Sequence, residues 1–285
     1  FIVNLALPAI RDGIGAQPAE LELVVSAYAC ANAVMLVTGG RLGDMYGRKR
    51  MFMAGMAGFV VASTLCGLAA SGAVLVAGRV LQGLFAAILA PQVLATIRSV
   101  FTAREQVRVM GLYGGGCGRA AVIGQLGGGA LISLHPFGLG WRAIFLVNLP
   151  IGLFALLGSW RFIPESRPPS GQRIDVSGTL LLSLLLLMLV YPLARGREAG
   201  WPLWMIACLV GSLPVLGLLL HVEWRKLAHR GDPLLDLRLF RNPVVALGLV
   251  LAFLFYAMSA FFLTYGIYLQ SGLHWSPLAS GIAIL

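Results

Sequence analysis

The chain has 285 residues, 59% of them hydrophobic and 11% charged, with 21 Lys and Arg against 11 Asp and Glu and a formal net charge of +10. Soluble domains carry about 25% charged residues, so a large soluble enzyme is excluded and a polytopic helical membrane protein is indicated, at roughly 20 apolar residues per crossing. The four cysteines, Cys30, Cys66, Cys117 and Cys208, all fall in apolar stretches. They give neither a disulfide framework nor a metal-ligand spacing.

A charge near the centre of a span costs about 2.5 to 3.5 kcal/mol on insertion scales, so charge-free runs set the segmentation. The chain opens at Phe1 inside an apolar run that ends at Pro8. Spans follow at 23–43, 51–70, 73–97, 109–134, 141–162, 176–194, 202–222 and 244–270. These are eight complete spans, flanked by partial ones at 1–10 and from 277, with Gly272, Trp275, Ser276 and Pro277 as the last break. Both termini lie within apolar runs, without a cleavable signal peptide, so the chain reads as the N-terminal and central part of a longer transporter-like protein.

The organisation expected is a six-span bundle over 1–162 (its first span incomplete), a linker at 163–175 and an inserted helix pair at 176–222. A connector at 223–243, amphipathic enough for a short surface helix, leads into the start of a second bundle at 244–285. If the loop from Arg41 to Arg50 is cytoplasmic, 15 of the 21 basic residues share its side. They are spread over four loops, which answers to the positive-inside rule rather than to a nucleic-acid surface. All six tryptophans, Trp141, Trp160, Trp201, Trp204, Trp224 and Trp275, fall near predicted span ends as interfacial anchors.

Between the second and third spans lies Gly40-Arg41-Leu42-Gly43-Asp44-Met45-Tyr46-Gly47-Arg48-Lys49-Arg50. Its glycines suit close helix approach, and its acid can pair with basic residues at a helix end. This strongly resembles the signature loop of the major facilitator superfamily, with Met45 where a basic residue is usual. The resemblance implies that Gly40, Gly43, Asp44, Gly47 and Arg48 form a conformational latch. On the fourth span, Arg79, Gln82, Gly83, Ala86, Ala87 and Ala90 share a helical face. An embedded arginine faces a protein interior or a water cavity, unless it snorkels to the outer helix end. The run is similar to the family's R-x-x-Q-G element, which implies proton coupling by Arg79 with Gln82.

The fifth span is glycine-rich, and Gly124-Gln125-Leu126-Gly127-Gly128-Gly129 is similar to the antiporter signature G-P-x-x-G-G. Gln125 replaces the proline and its kink; Gly124, Gly128 and Gly129 are the expected packing positions. Gly116-Cys117-Gly118-Arg119-Ala120-Ala121 mimics a dinucleotide fingerprint but has neither a preceding strand nor a following ribose acid. Arg119 sits near mid-membrane, where its partner is a backbone carbonyl, a residue outside this chain or an anionic substrate. Tyr28, Asn32 and Gln270 either line a substrate cavity or make interhelical hydrogen bonds.

The segment Trp141-Arg142-Ala143-Ile144-Phe145-Leu146-Val147-Asn148-Leu149-Pro150-Ile151-Gly152 closely resembles one typical of the fourteen-span drug:proton antiporter branch. Asn4, Leu7 and Pro8 fit the end of that branch's first-helix motif. Ile174-Asp175-Val176-Ser177-Gly178 and the extra helix pair fit its insertion between two six-span halves. The resemblance implies an all-α helical bundle in a bacterial cell membrane, acting as a monomer on small-molecule substrates by alternating access. It implies export of lipophilic drugs or antibiotics, with the proton gradient as energy source and no cofactor. A facilitator or uptake carrier on the same fold, or a non-transporting fragment, are the alternatives. A membrane enzyme would need clustered His, Asp, Glu or Cys at one face, and the sequence shows no such cluster.

Overall fold

The computed structural model describes residues 2–134, 138–166, 175–197, 199–228, 234, 237–273 and 275. Part of the linker, most of the middle of the connector and the partial span from 277 lie outside them, as do His135, His229 and His274. Ten helices carry the described chain: α1 Ile2–Ile14, α2 Pro18–Tyr46, α3 Arg48–Gly67, α4 Gly72–Val100, α5 Ala103–Leu134, α6 Ala143–Leu146, α7 Asn148–Phe162, α8 Val176–Arg195, α9 Leu203–Ala228 and α10 Pro243–Ile267. Short 3-10 turns precede α6 and α10, and a π turn over Tyr268–Gly272 follows α10.

Local chemistry marks the helix starts. The Ser71 hydroxyl accepts from the Val74 N–H at 3.4 Å to open α4, and the Asp175 carboxylate accepts from the Gly178 N–H at 2.8 Å to open α8. At α5, Glu105 accepts from both the backbone and the hydroxyl of Thr102. Among the described residues, six segments are long and apolar enough to cross a membrane, namely α2, α3, α4, Gly140–Phe162, Ser177–Arg195 and α9. The 32 residues of α5 and 25 of α10 also have the length of a crossing.

Several boundaries differ from the spans expected, three of them with consequences for the organisation. α1 runs through Pro8 and beyond the expected partial span at 1–10, to Ile14; membrane helices tolerate an internal proline because neighbouring groups satisfy the freed backbone. Residues 223–228 belong to α9, so the connector begins later, with a 3-10 turn at Leu237–Arg241 as its described helical element. The sixth span is broken at Val147 into α6 and α7, three residues before Pro150.

α4 is the centre of the bundle, packed between α2 and α3. The α2–α4 contact is a backbone-to-backbone approach: a Cβ on Gly83 would stand 2.5 Å from the Tyr28 carbonyl oxygen, and one on Gly39 would overlap the Ala87 carbonyl. Small residues permit this where hydrocarbon supplies no hydrophobic drive for larger ones. At the end of the bundle away from the signature loop, Val3, Ala6, Ile10, Val24, Leu75, Ile144 and Phe145 form an apolar core. Trp141 joins it at 3% exposure, so it is a core side chain rather than an interfacial anchor, edge-on to Phe145 at 6.1 Å. The inserted pair α8 and α9 pack on each other, and α8 leans on α2.

Candidate functional site

The signature loop is a sharp reversal between α2 and α3. Gly47 adopts φ +103°, a conformation that disfavours any side chain, and a Cβ there would meet the Glu165 carboxylate at 2.5 Å. Within the loop Asp44 accepts from Arg48 at 3.3 Å, while a second Arg48 nitrogen donates to the Ala95 carbonyl of α4 at 2.9 Å. Arg48 thus ties the α3 start to α4 as well as to α2. Gly43 faces Gln92, whose amide donates to the Gly39 carbonyl at 2.7 Å, and Gly40 lies against Pro91.

Glu165, which the sequence reading passed over, completes this end. Its two oxygens accept from the Lys49 and Arg50 N–H groups at 3.1 and 3.3 Å, and the Lys49 ammonium donates to the Trp160 carbonyl at 2.8 Å. A carboxylate on the first free amides of α3 satisfies two orphan donors and meets the positive end of the helix dipole. The sequence carried one hint, because Glu165 is the first acid after Glu105.

A second charged cluster sits where α8 begins and α9 ends. The Asp175 carboxylate, 3% exposed, is bound by the Lys226 ammonium, the Ser177 hydroxyl at 3.0 Å and the Gly178 N–H. Glu223, fully buried, lies with one oxygen 3.9 Å from the same ammonium. The other Asp175 oxygen accepts from the Leu234 N–H at 3.2 Å, and the Leu234 carbonyl accepts from Arg41 at 3.0 Å. One residue of the connector, Leu234, is therefore held between α8 and the signature loop. Burial pushes the Asp175 carboxyl up, but the hydrogen bonds from Lys226, Gly178, Glu223 and Ser177 outweigh it and bring the pKa down to about 2.

Inside the bundle Arg79 is 8% exposed and Gln82 2%. The Arg79 Nε donates to the Val24 carbonyl at 2.8 Å, another nitrogen donates to the Gln82 side-chain oxygen at 2.5 Å, and the guanidinium lies 4.3 Å over the Tyr28 ring. The Gln82 amide donates onward to the Ser63 hydroxyl at 3.1 Å, which also receives Asn148 at 2.9 Å. Ser63 itself donates to the Phe145 carbonyl at 2.9 Å. The arginine therefore does not snorkel; a polar chain through α2, α3, α4 and the sixth span holds it in the protein interior.

The remaining candidates are not gathered. Asn32 packs on α4 near Gly83, and Arg119 is exposed on α5. Around Gly124 and Gly129 a Cβ would meet nothing within 4 Å among the described residues; Gly128 is buried. The side chains of Asn4, Gln125 and Gln270 lie outside the described residues. A cavity of about 350 Å³ opens between α2, α4 and α8, lined by apolar groups including Cys30, Val34, Val80, Leu84 and Leu187. Tyr28, Asn32 and Arg119 do not line it. Among the described residues no group of three or more His, Cys, Asp or Glu could hold a metal ion.

The sequence profile of the Major Facilitator Superfamily matches residues 1–285. The chain belongs to that superfamily. Its members are transporters rather than enzymes. Among curated proteins the superfamily chain is 39% identical, over 99% of its length and 49% of the other's, to a probable actinorhodin transporter of Streptomyces coelicolor. It is 34% identical to a tetracenomycin C resistance and export protein of Streptomyces glaucescens, over all of this chain and 52% of that one. It is 38% identical to a puromycin resistance protein of Streptomyces alboniger, over all of this chain and 55% of that one. The chain spans about half the length of these superfamily relatives.

Proposed function

We propose that the protein of which this chain forms at least a part exports small lipophilic compounds of the drug or antibiotic class, by alternating access driven by the proton gradient. The observation that carries the reading is Arg79, an always-charged group kept inside the helix bundle by Val24, Tyr28 and Gln82. Buried charge in a membrane span is costly and marks ion or proton pathways and substrate sites. The resistance and export names of the relatives supply the direction of transport and the class of cargo.

In this reading Arg79 and Gln82 couple substrate movement to protons, while Gly40, Gly43, Asp44, Gly47 and Arg48 latch the helix ends that part and rejoin as the bundle rocks. Gly124, Gln125, Gly128 and Gly129 offer α5 a close-packing face for helices outside the described residues, and Tyr28, Asn32, Arg119 and Gln270 belong to a substrate cavity distinct from the apolar one between α2, α4 and α8. The signature-loop end faces the cytoplasm of a bacterial cell, and the transporter works as a monomer. Linker 163–175 and the connector that follows Ala228 lie on that same side of the inserted pair.

The test is a panel of antibiotics and lipophilic dyes against an efflux-deficient host expressing the intact gene. Resistance with dye extrusion that stops on adding a protonophore is the expected result. Sensitisation of the host would identify an uptake carrier, and extrusion indifferent to the protonophore would identify a facilitator. For Arg79 itself, Arg79→Ala retaining normal gradient-driven extrusion would remove the coupling role.

A further inference from the structure

We infer that Ser63 and Asn148 are positioning residues for Arg79, and that the Trp141–Gly152 segment exists to set this arrangement from the sixth span; the inference rests on the coupling role given to Arg79 above. The argument is one of donors and acceptors. A serine hydroxyl has one proton to give and two lone pairs to receive with. Ser63, with no exposure to solvent, donates that proton to the Phe145 carbonyl and receives both Gln82 and Asn148. Every hydrogen-bonding capacity of the hydroxyl is in use. With its proton committed to Phe145, Ser63 has only acceptor capacity to offer Gln82, so the Gln82 side chain must turn its NH2 toward Ser63. Its oxygen then faces the other way, where it receives Arg79 at 2.5 Å.

The direction of the whole chain is thus fixed at its far end. The Phe145 carbonyl orients the Ser63 hydroxyl, Ser63 orients the Gln82 amide, and Gln82 with the Val24 carbonyl orients the guanidinium over Tyr28. Asn148 fills the second lone pair, so that Ser63 has no alternative partner. Phe145 and Asn148 lie on either side of the break at Val147, which is why a helix interrupted at this point can present a carbonyl and a side-chain amide to the same hydroxyl. A reversed Gln82 would aim an NH2 at a guanidinium, two donors facing each other without an acceptor. The four links join α2, α3, α4 and the sixth span at one point, so a shift of the sixth span relative to α3 reaches Arg79 through hydrogen bonds alone.

The experiment compares gradient-driven extrusion of ethidium with its downhill exchange after the gradient is collapsed, using the intact transporter in inverted vesicles. Ser63→Ala and Asn148→Leu are each expected to lower the driven rate about tenfold while downhill exchange falls far less, since a misaimed arginine uncouples without blocking the path. The double variant Ser63→Ala/Gln82→Ala is expected to be no worse than Gln82→Ala alone, because both act through one chain. Equal losses in driven and downhill rates, or additive effects in the double variant, would overturn the positioning role in favour of plain packing. Failure of the two readings is separable. If Arg79→Ala keeps normal driven transport, the coupling role and the inference fall together. If Arg79→Ala abolishes it while Ser63→Ala and Asn148→Leu are normal, the coupling role stands and the inference alone falls.

Discussion

Asp175 is both the cap of α8 and the anion of a nearly buried ion pair, and the two roles separate in two substitutions. Its carboxyl is brought from 3.8 to about 2, which corresponds to about 2 kcal/mol of stability at neutral pH. The folded-state pKa is depressed, so this stability is complete above the unfolded value of 3.8 and drains away as pH falls toward about 2. Asp175→Asn keeps an oxygen for the Gly178 N–H but loses the charge beside Lys226, and is expected to cost about 2 kcal/mol at pH 7. Asp175→Ala also abandons the cap, worth roughly a further 1 kcal/mol. The assay is unfolding of the purified protein in mixed micelles, followed by near-ultraviolet circular dichroism at pH 7 and pH 3. The Asn variant should approach wild type at the lower pH, while the Ala variant should remain below both. An Asn variant as stable as wild type at pH 7, or a gap to wild type that does not narrow at pH 3, would refute the reasoning.

Gly83→Val should separate α2 from α4, since its Cβ alone meets the Tyr28 carbonyl at 2.5 Å; a loss of about 2 to 3 kcal/mol in the same unfolding assay is expected for such overpacking. Glu165→Ala should uncap α3 at a cost of about 1 kcal/mol, seen as faster hydrogen exchange confined to peptides spanning Lys49 and Arg50, with Glu165→Gln intermediate. Asp44→Asn should reduce transport while leaving membrane insertion intact, because it weakens the 3.3 Å pair with Arg48 without touching the Arg48–Ala95 bond; wild-type transport would remove the latch role. Cysteine labelling in sealed cells, in a background lacking the native thiols, should leave position 173 unreactive from outside.

The helices were legible because the bilayer demands long charge-free runs, and interruptions such as the Gly47 turn and the Ser71 cap are written locally. Arg79 and Gln82 were legible as one face because three residues along a helix bring side chains together. What the sequence could not show is who answers them. Ser63 lies 19 residues from Gln82 and 85 from Asn148, and no periodicity links them. Glu165 likewise stands 116 residues from Lys49, and Lys226 51 from Asp175, so both clusters exist only through packing. Trp141 misled for a related reason. A tryptophan at a span end fits the interface by composition, but here α1 and α5 pack against the turn that carries it.

The contact between Glu165 and α3 has a consequence for how the chain is made. The acid is 116 residues downstream of Lys49, and at roughly 5 to 20 residues per second of synthesis it emerges about 6 to 23 s later. During that interval the nascent third helix enters the bilayer with its first amides facing only water and lipid headgroups. The signature loop therefore matures last in its own half of the bundle, after three further spans have been threaded, and a ribosome stalled before residue 165 would leave it open.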